Sequence, residues 1–203
     1  MDMSPPRAHN SMGGLQTLLP RIRECQICAE HLPLGPRPVL QVHSDAPILI
    51  AVQAPGRRVH LSGVPFQDPS GVRLREWLGV DEETFYDPRC IAILPMGFCF
   101  PGTGKSGDKP PRYECAPAWR EEVLQHLVGV RLILVLGRYA QTYHLGGTAR
   151  SVTENVAAWR EYWPDKLPLP HPSPRNQGWF KKNAWFADDV LPILRERVPQ
   201  LLR

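Results

Sequence analysis

Three apolar runs constrain this chain more than any other feature: residues 47–52 (PILIAV), 91–94 (IAIL) and 131–136 (RLILVL). Each holds an unbroken apolar row with no polar alternation, the pattern of a strand buried on both faces of a parallel sheet. Residues 167–169 supply a fourth, shorter strand. Helical periodicity fills the intervals, at 15–29, 70–78, 116–127, 137–145, 152–162 and 179–198, the last broken near Pro192. Ser70 stands where it would cap the second of these helices. Alternating strands and helices imply right-handed crossovers. The expected architecture is therefore a three-layer α/β/α fold around a central four-stranded parallel sheet. Residues 1–14 read as a disordered tail and residues 15–203 as one domain.

In such a sheet, ligands bind beyond the carboxyl ends of the strands. Three polar turns fall there: residues 53–56, 95–99 and 171–176. The third lies in the stretch Pro170, His171, Pro172, Ser173, Pro174, Arg175, Asn176. Its prolines fix φ and remove backbone donors, so the loop loses little entropy in holding one shape. The same residue types serve in plain surface turns. Convergence with the other two turns favours a site.

The hydrophobic content, 42% of 203 residues, is enough for a real core. A net charge of +4 suits an anionic partner, and equally an ordinary solvated surface. The first dozen residues carry no apolar run, so no signal peptide is expected, and no stretch is long enough to span a bilayer. A cytoplasmic monomer without a membrane partner is the expectation. Five cysteines in such a chain argue for metal or redox chemistry and against a disulfide frame. Cys25 and Cys28 form a CxxC pair, while Cys99 and Cys115 bracket a Gly/Pro/Lys-rich segment with little core of its own. Four thiolates would ligate either a [4Fe–4S] cluster or a structural zinc. Cys90 reads as a small buried apolar residue. Gly104, Lys105 and Ser106 imitate the end of a phosphate-binding loop, but Cys99 stands where its first glycine is required.

With these residues in view, the chain resembles the uracil-DNA glycosylase superfamily. Its iron–sulfur (family 4) branch is similar in the CxxC pair, in the turn Val52, Gln53, Ala54, Pro55, Gly56, in Gly63, Val64, Pro65, Phe66, and in the spacing of Cys99 and Cys115. The single-strand-selective monofunctional branch is similar at residues 62–66 and at the HPSPRN letters of 171–176.

The resemblance implies N-glycosidic hydrolysis of uracil or a related deaminated base in DNA, as in base excision repair. DNA would be held through its phosphates and the base flipped into a pocket. Phe66 would stack on the base, with Gln53, Ala54, Pro55 and Gly56 beneath sugar and base. His171 would face the base carbonyl oxygen. Ser173, Pro174, Arg175 and Asn176 would meet the DNA, with Pro174 and Arg175 as a wedge. The four cysteines would hold a [4Fe–4S] cluster, with structural zinc as the alternative. Gln53 replaces a glutamate of the iron–sulfur branch, and Pro95 falls where that branch reads the uracil edge with asparagine. Asp68 and His60 are the substitute polar candidates, Asp68 being equally suited to complement a helix N-terminus. Two rival readings remain: a catalytically silent binder of damaged or single-stranded DNA, and a zinc-stapled α/β enzyme acting on free nucleosides or nucleotides.

Overall fold

The computed structural model describes residues 11–105, 107–147 and 149–203. Its elements run α1 (Ser11–Arg23), β1 (Ile48–Val52), α2 (Arg57–Ser62), α3 (Pro69–Leu78), α4 (Glu82–Tyr86) and β2 (Ile91–Pro95). A small hairpin follows, β3 (Thr103–Gly104) and β4 (Gly107–Asp108). Then come α5 (Glu121–His126), β5 (Leu132–Leu136), α6 (Gly137–His144), α7 (Val152–Ala157), β6 (Lys166–Leu169), α8 (Gln177–Lys182) and α9 (Leu191–Leu201).

The main sheet is four-stranded and parallel, in the order β2-β1-β5-β6. Ile50 of β1 sits between Ile93 of β2 and Leu134 of β5. Side chains alternate across the pleat. Ile48, Ile50 and Val52 pack with Leu74, Trp77 and Leu78 of α3 and with Leu191, Leu194 and Val198 of α9. Leu49 turns the other way, onto Leu15, Leu18 and Ile22 of α1 and Val123 of α5. Ala51 meets Ala140 of α6. Each fully buried aliphatic side chain contributes roughly 1.5–3 kcal/mol. The result is the expected three-layer α/β/α arrangement, with Val52, Pro95, Leu136 and Leu169 at one common end of the sheet.

Several local expectations change. Helix α1 begins at Ser11, inside the stretch read as tail, and residues 1–10 lie outside the described residues. It stops at Arg23, so the CxxC pair lies beyond it, followed by a single 3-10 turn at Ala29–His31. The cause is burial: Ile22 is fully covered, whereas Ile27 is 58% exposed and has no surface to dock on. Helix α3 is capped by Asp68, not Ser70. Its carboxylate accepts from the Gly71 N–H at 3.0 Å, and Pro69 occupies the first helical position, where no N–H is needed. Residues 116–127 open with a π-helical turn, Ala116–Arg120, before α5. Among the described residues no helix is long and apolar enough to cross a membrane.

Candidate active site

A cleft of about 520 Å³ opens at the carboxyl end of the sheet. Its floor includes Val52 and Pro95 from the strand ends, and its walls come from four segments. The turn after β1 brings Ala54, Pro55 and Gly56; the segment before α3 brings Phe66 and Asp68; the loop after β6 brings His171, Ser173, Pro174 and Arg175; the hairpin brings Thr103 and Asp108. Arg57 and Arg58 stand at the same mouth. Of the three expected turns, 53–56 and 171–176 meet here, as the positions of the strand ends require, whereas 95–99 contributes Pro95 alone and sends Gly97, Phe98 and Cys99 to the cysteine pocket.

The loop after β6 is braced from within. His171 Nδ1 accepts from the Ser173 N–H at 3.2 Å, and Ser173 Oγ accepts from the Arg175 N–H at 3.2 Å. Asn176 donates its amide to the His171 carbonyl at 2.8 Å. Arg73 of α3 donates to the carbonyls of Pro172 and Ser173. Asn176 is therefore a staple of the loop and does not line the cleft. Burial holds the His171 imidazole below its ordinary pKa, while the Asp68 carboxylate opposes that effect. With Nδ1 occupied as an acceptor, the neutral ring carries its proton on Nε2.

Phe66 reaches the cleft with a left-handed backbone, φ 56°, which is unfavourable for a bulky residue. Its ring packs edge-on against Phe85, centroids 6.1 Å apart. Its carbonyl lies so close to Gly71 that a methyl there would stand 1.8 Å from the oxygen. Only glycine fits, and the Asp68 cap on the Gly71 N–H holds the two segments together.

Gln53 is not among the cleft-lining residues. Its amide donates to the Lys109 carbonyl at 3.0 Å, so it anchors the hairpin. A carboxylate at this position would offer an acceptor to an acceptor. His60 also leaves the site: it is buried beside Phe100, ring centroids 6.3 Å apart, and burial lowers its pKa. Sequence reasoning missed Asp108, which sits in a segment that reads as irregular. The turn-forming Gly107-Asp108 pair was the only local signal.

Behind the cleft floor, Arg120 is fully buried and donates to the carbonyls of Leu94 and Pro95 at 2.6 and 2.7 Å. Its other terminal nitrogen meets His144 Nε2 at 2.5 Å. Burial and the Arg120 charge push the His144 pKa down to about 3, so the ring stays neutral and accepts.

Cys25, Cys28, Cys99 and Cys115 line one small pocket away from the cleft, and Cys90 lies elsewhere. All five are free thiols. Trp119 donates its indole N–H to Cys25 Sγ at 3.2 Å, and the Phe98 N–H points at Cys115 Sγ at 3.3 Å. Burial pushes the Cys99 thiol up to about 11 and Cys115 up to about 12. Four sulfurs about one pocket, two of them receiving N–H donors, fit the donor set of a thiolate-ligated centre. As they stand, no three His, Cys, Asp or Glu side chains among the described residues close on a metal position.

Residues 41–195, more than half of the chain, match the family model described as Uracil DNA glycosylase superfamily. The match covers every cleft-lining residue but Val39, and it includes Cys99 and Cys115; Cys25 and Cys28 precede it.

Proposed function

The chain belongs to the uracil DNA glycosylase superfamily, and from that premise we propose that it hydrolyses the N-glycosidic bond of uracil or a related deaminated base in DNA. One observation carries the reading: Phe66, from the segment before α3, and His171 and Arg175, from the loop after β6, reach one cleft beyond the strand ends. The basic mouth, with Arg57, Arg58 and Arg175, suits the phosphates of a DNA strand. A base turned out of the strand would enter the cleft and stack on Phe66. As the glycosidic bond breaks, the electron pair leaves with the base and charge collects on its oxygen. His171, protonated on Nε2, donates to that oxygen. Such a donor favours the transition state over the bound substrate. Arg175 and Pro174, both exposed on the rim, would hold a duplex open.

The four-cysteine pocket is the proposed seat of a [4Fe–4S] cluster, held by Cys25, Cys28, Cys99 and Cys115, or of a zinc ion in its place. Such a group would tie the N-terminal segment to the segment that carries the hairpin, and it enters no step of the reaction.

A second reading has its own support. Pro95 lines the cleft without a hydrogen-bonding side chain, and Arg120 already engages its carbonyl. That favours weak base selection or binding without cleavage. Oligonucleotides carrying uracil, hypoxanthine or xanthine, single- and double-stranded, decide between the two. Excision of at least one base is expected. Tight binding with no excision of any would leave only the silent binder.

A further inference from the structure

Hydrolysis needs a group that orients water at the sugar and offsets the positive charge developing there. The cleft offers two carboxylates, Asp68 and Asp108. Asp68 is engaged: it caps α3 through the Gly71 N–H. Asp108 is not. Among the described residues its carboxylate has no hydrogen-bond or ion-pair partner. It lies against the turn after β1, since a methyl on Gly56 would stand 3.4 Å from Asp108 Oδ2.

The hairpin that carries it is positioned from three sides. Gln53 holds the Lys109 carbonyl, and the Lys109 N–H donates to Gly102 at 2.8 Å. Gly107 has φ +142°, and a side chain there would meet Arg175 Nη1 at 3.2 Å, so the guanidinium lies over the hairpin. Asp108 stands exposed at the cleft's edge; partial desolvation raises its pKa, Arg175 pulls it back, and Asp68 pushes it further up.

Resting on the glycosylase reading, we propose that Asp108 is a catalytic residue that orients and deprotonates the attacking water. The water oxygen bonds to the anomeric carbon as the bond from that carbon to the base nitrogen breaks. Asp108 takes the water proton, and the bond's electron pair leaves with the base. The base then takes up a proton, giving free base and an abasic sugar. The carboxylate also faces the cationic sugar in the transition state. Gln53 is a positioning residue for this carboxylate, acting through the Lys109 carbonyl.

The test compares the parent with Asp108→Asn and Asp108→Glu. Single-turnover excision is measured on uracil, hypoxanthine and xanthine oligonucleotides. Binding is followed by fluorescence anisotropy on an oligonucleotide with a tetrahydrofuran abasic-site analogue. Asp108→Asn should lose about a hundred-fold or more in rate, the scale of a general base, with binding unchanged. Asp108→Glu should recover part of the loss. A parent that excises while Asp108→Asn cleaves as fast overturns the Asp108 role and spares the glycosylase reading. Equal loss in Asp108→Asn and Asp108→Glu, with weakened binding, also overturns it, since only the hairpin's shape would then matter. A parent that excises no base overturns both.

Discussion

The loop after β6 and the β3–β4 hairpin face each other across one cleft, and they are held in opposite ways. The loop is stiffened mainly from within, by Pro170, Pro172 and Pro174 and by four hydrogen bonds among residues 171–176, with Arg73 of α3 added from outside. The hairpin pairs only Thr103 with Asp108 and Gly104 with Gly107, too little to persist in water alone. Its position comes from outside: Gln53 at Lys109, Arg175 over Gly107, and the cysteine pocket at both ends of its segment. A self-braced loop shows itself in local sequence. A hairpin set by remote contacts does not.

The comparison can be broken most severely at His171. His171→Ala should cost about 2.7–4 kcal/mol of transition-state stabilisation, on the order of a hundred- to a thousand-fold in rate. DNA affinity should hold, because the substitution removes only the bond to the Ser173 N–H and leaves Asn176 on the residue-171 carbonyl and the Arg175 N–H on Ser173 Oγ. A variant as fast as the parent on every accepted substrate would reduce His171 to a packing residue.

Gln53→Glu tests the other side. It replaces a donor to the Lys109 carbonyl with an acceptor, at a cost of about 1–3 kcal/mol. Hydrogen exchange should quicken across residues 102–109 and stay slow across 171–176. Equal loosening of both would deny that they are held separately. Removing the proposed cluster should have the same one-sided effect. Anaerobically purified protein is expected to be brown, with about four irons per chain. Colourless protein with stoichiometric zinc would replace iron and keep the site.

Below both regions lies the Arg120–His144 pair, and acid should weaken it. The folded His144 pKa, about 3, is below its ordinary value of 6.5. The unfolded chain therefore takes up the proton first. This contribution is complete above the unfolded pKa and is lost as pH falls from there toward 3, by up to about 1.4 kcal/mol per pH unit. Denaturant titrations of the parent and of His144→Gln between pH 7 and 4 should show the parent losing more. Parallel curves would mean that His144 titrates like an exposed histidine.

The smallest effect is expected at Arg175. Arg175→Ala should slow double-stranded substrates several-fold more than single-stranded ones, as a stacking guanidinium worth roughly 0.5–1 kcal/mol would. Equal loss on both would place Arg175 with the hairpin and not with duplex opening.

Much of the fold was legible because buried parallel strands read as unbroken apolar rows, and burial on both faces leaves such a row no other use. The HPSPRN loop was legible because proline acts on its own backbone. Short helices such as α2 and α4 were not, being too short to show a periodic face and held by packing. The Asp68 cap was misplaced by two residues because Ser70 and Asp68 are both good caps, and only the approach of the Phe66 carbonyl to Gly71 selects between them. Gln53 read as a site residue from its place after β1; its partner, the Lys109 carbonyl, lies 56 residues away.

The sequence by itself therefore determined the sheet, the end of it where the polar turns gather, and the proline-stiffened loop that carries His171 there; Phe66 was named through the family resemblance. Tertiary structure alone decided that Gln53 serves the hairpin, that Asn176 serves the loop, and that Asp108 enters the cleft. The physical reason is range. Backbone restriction and burial periodicity act between neighbours in sequence. The direction of an amide or a carboxylate on a short hairpin is set by partners that meet it only once the sheet has brought its strand ends together.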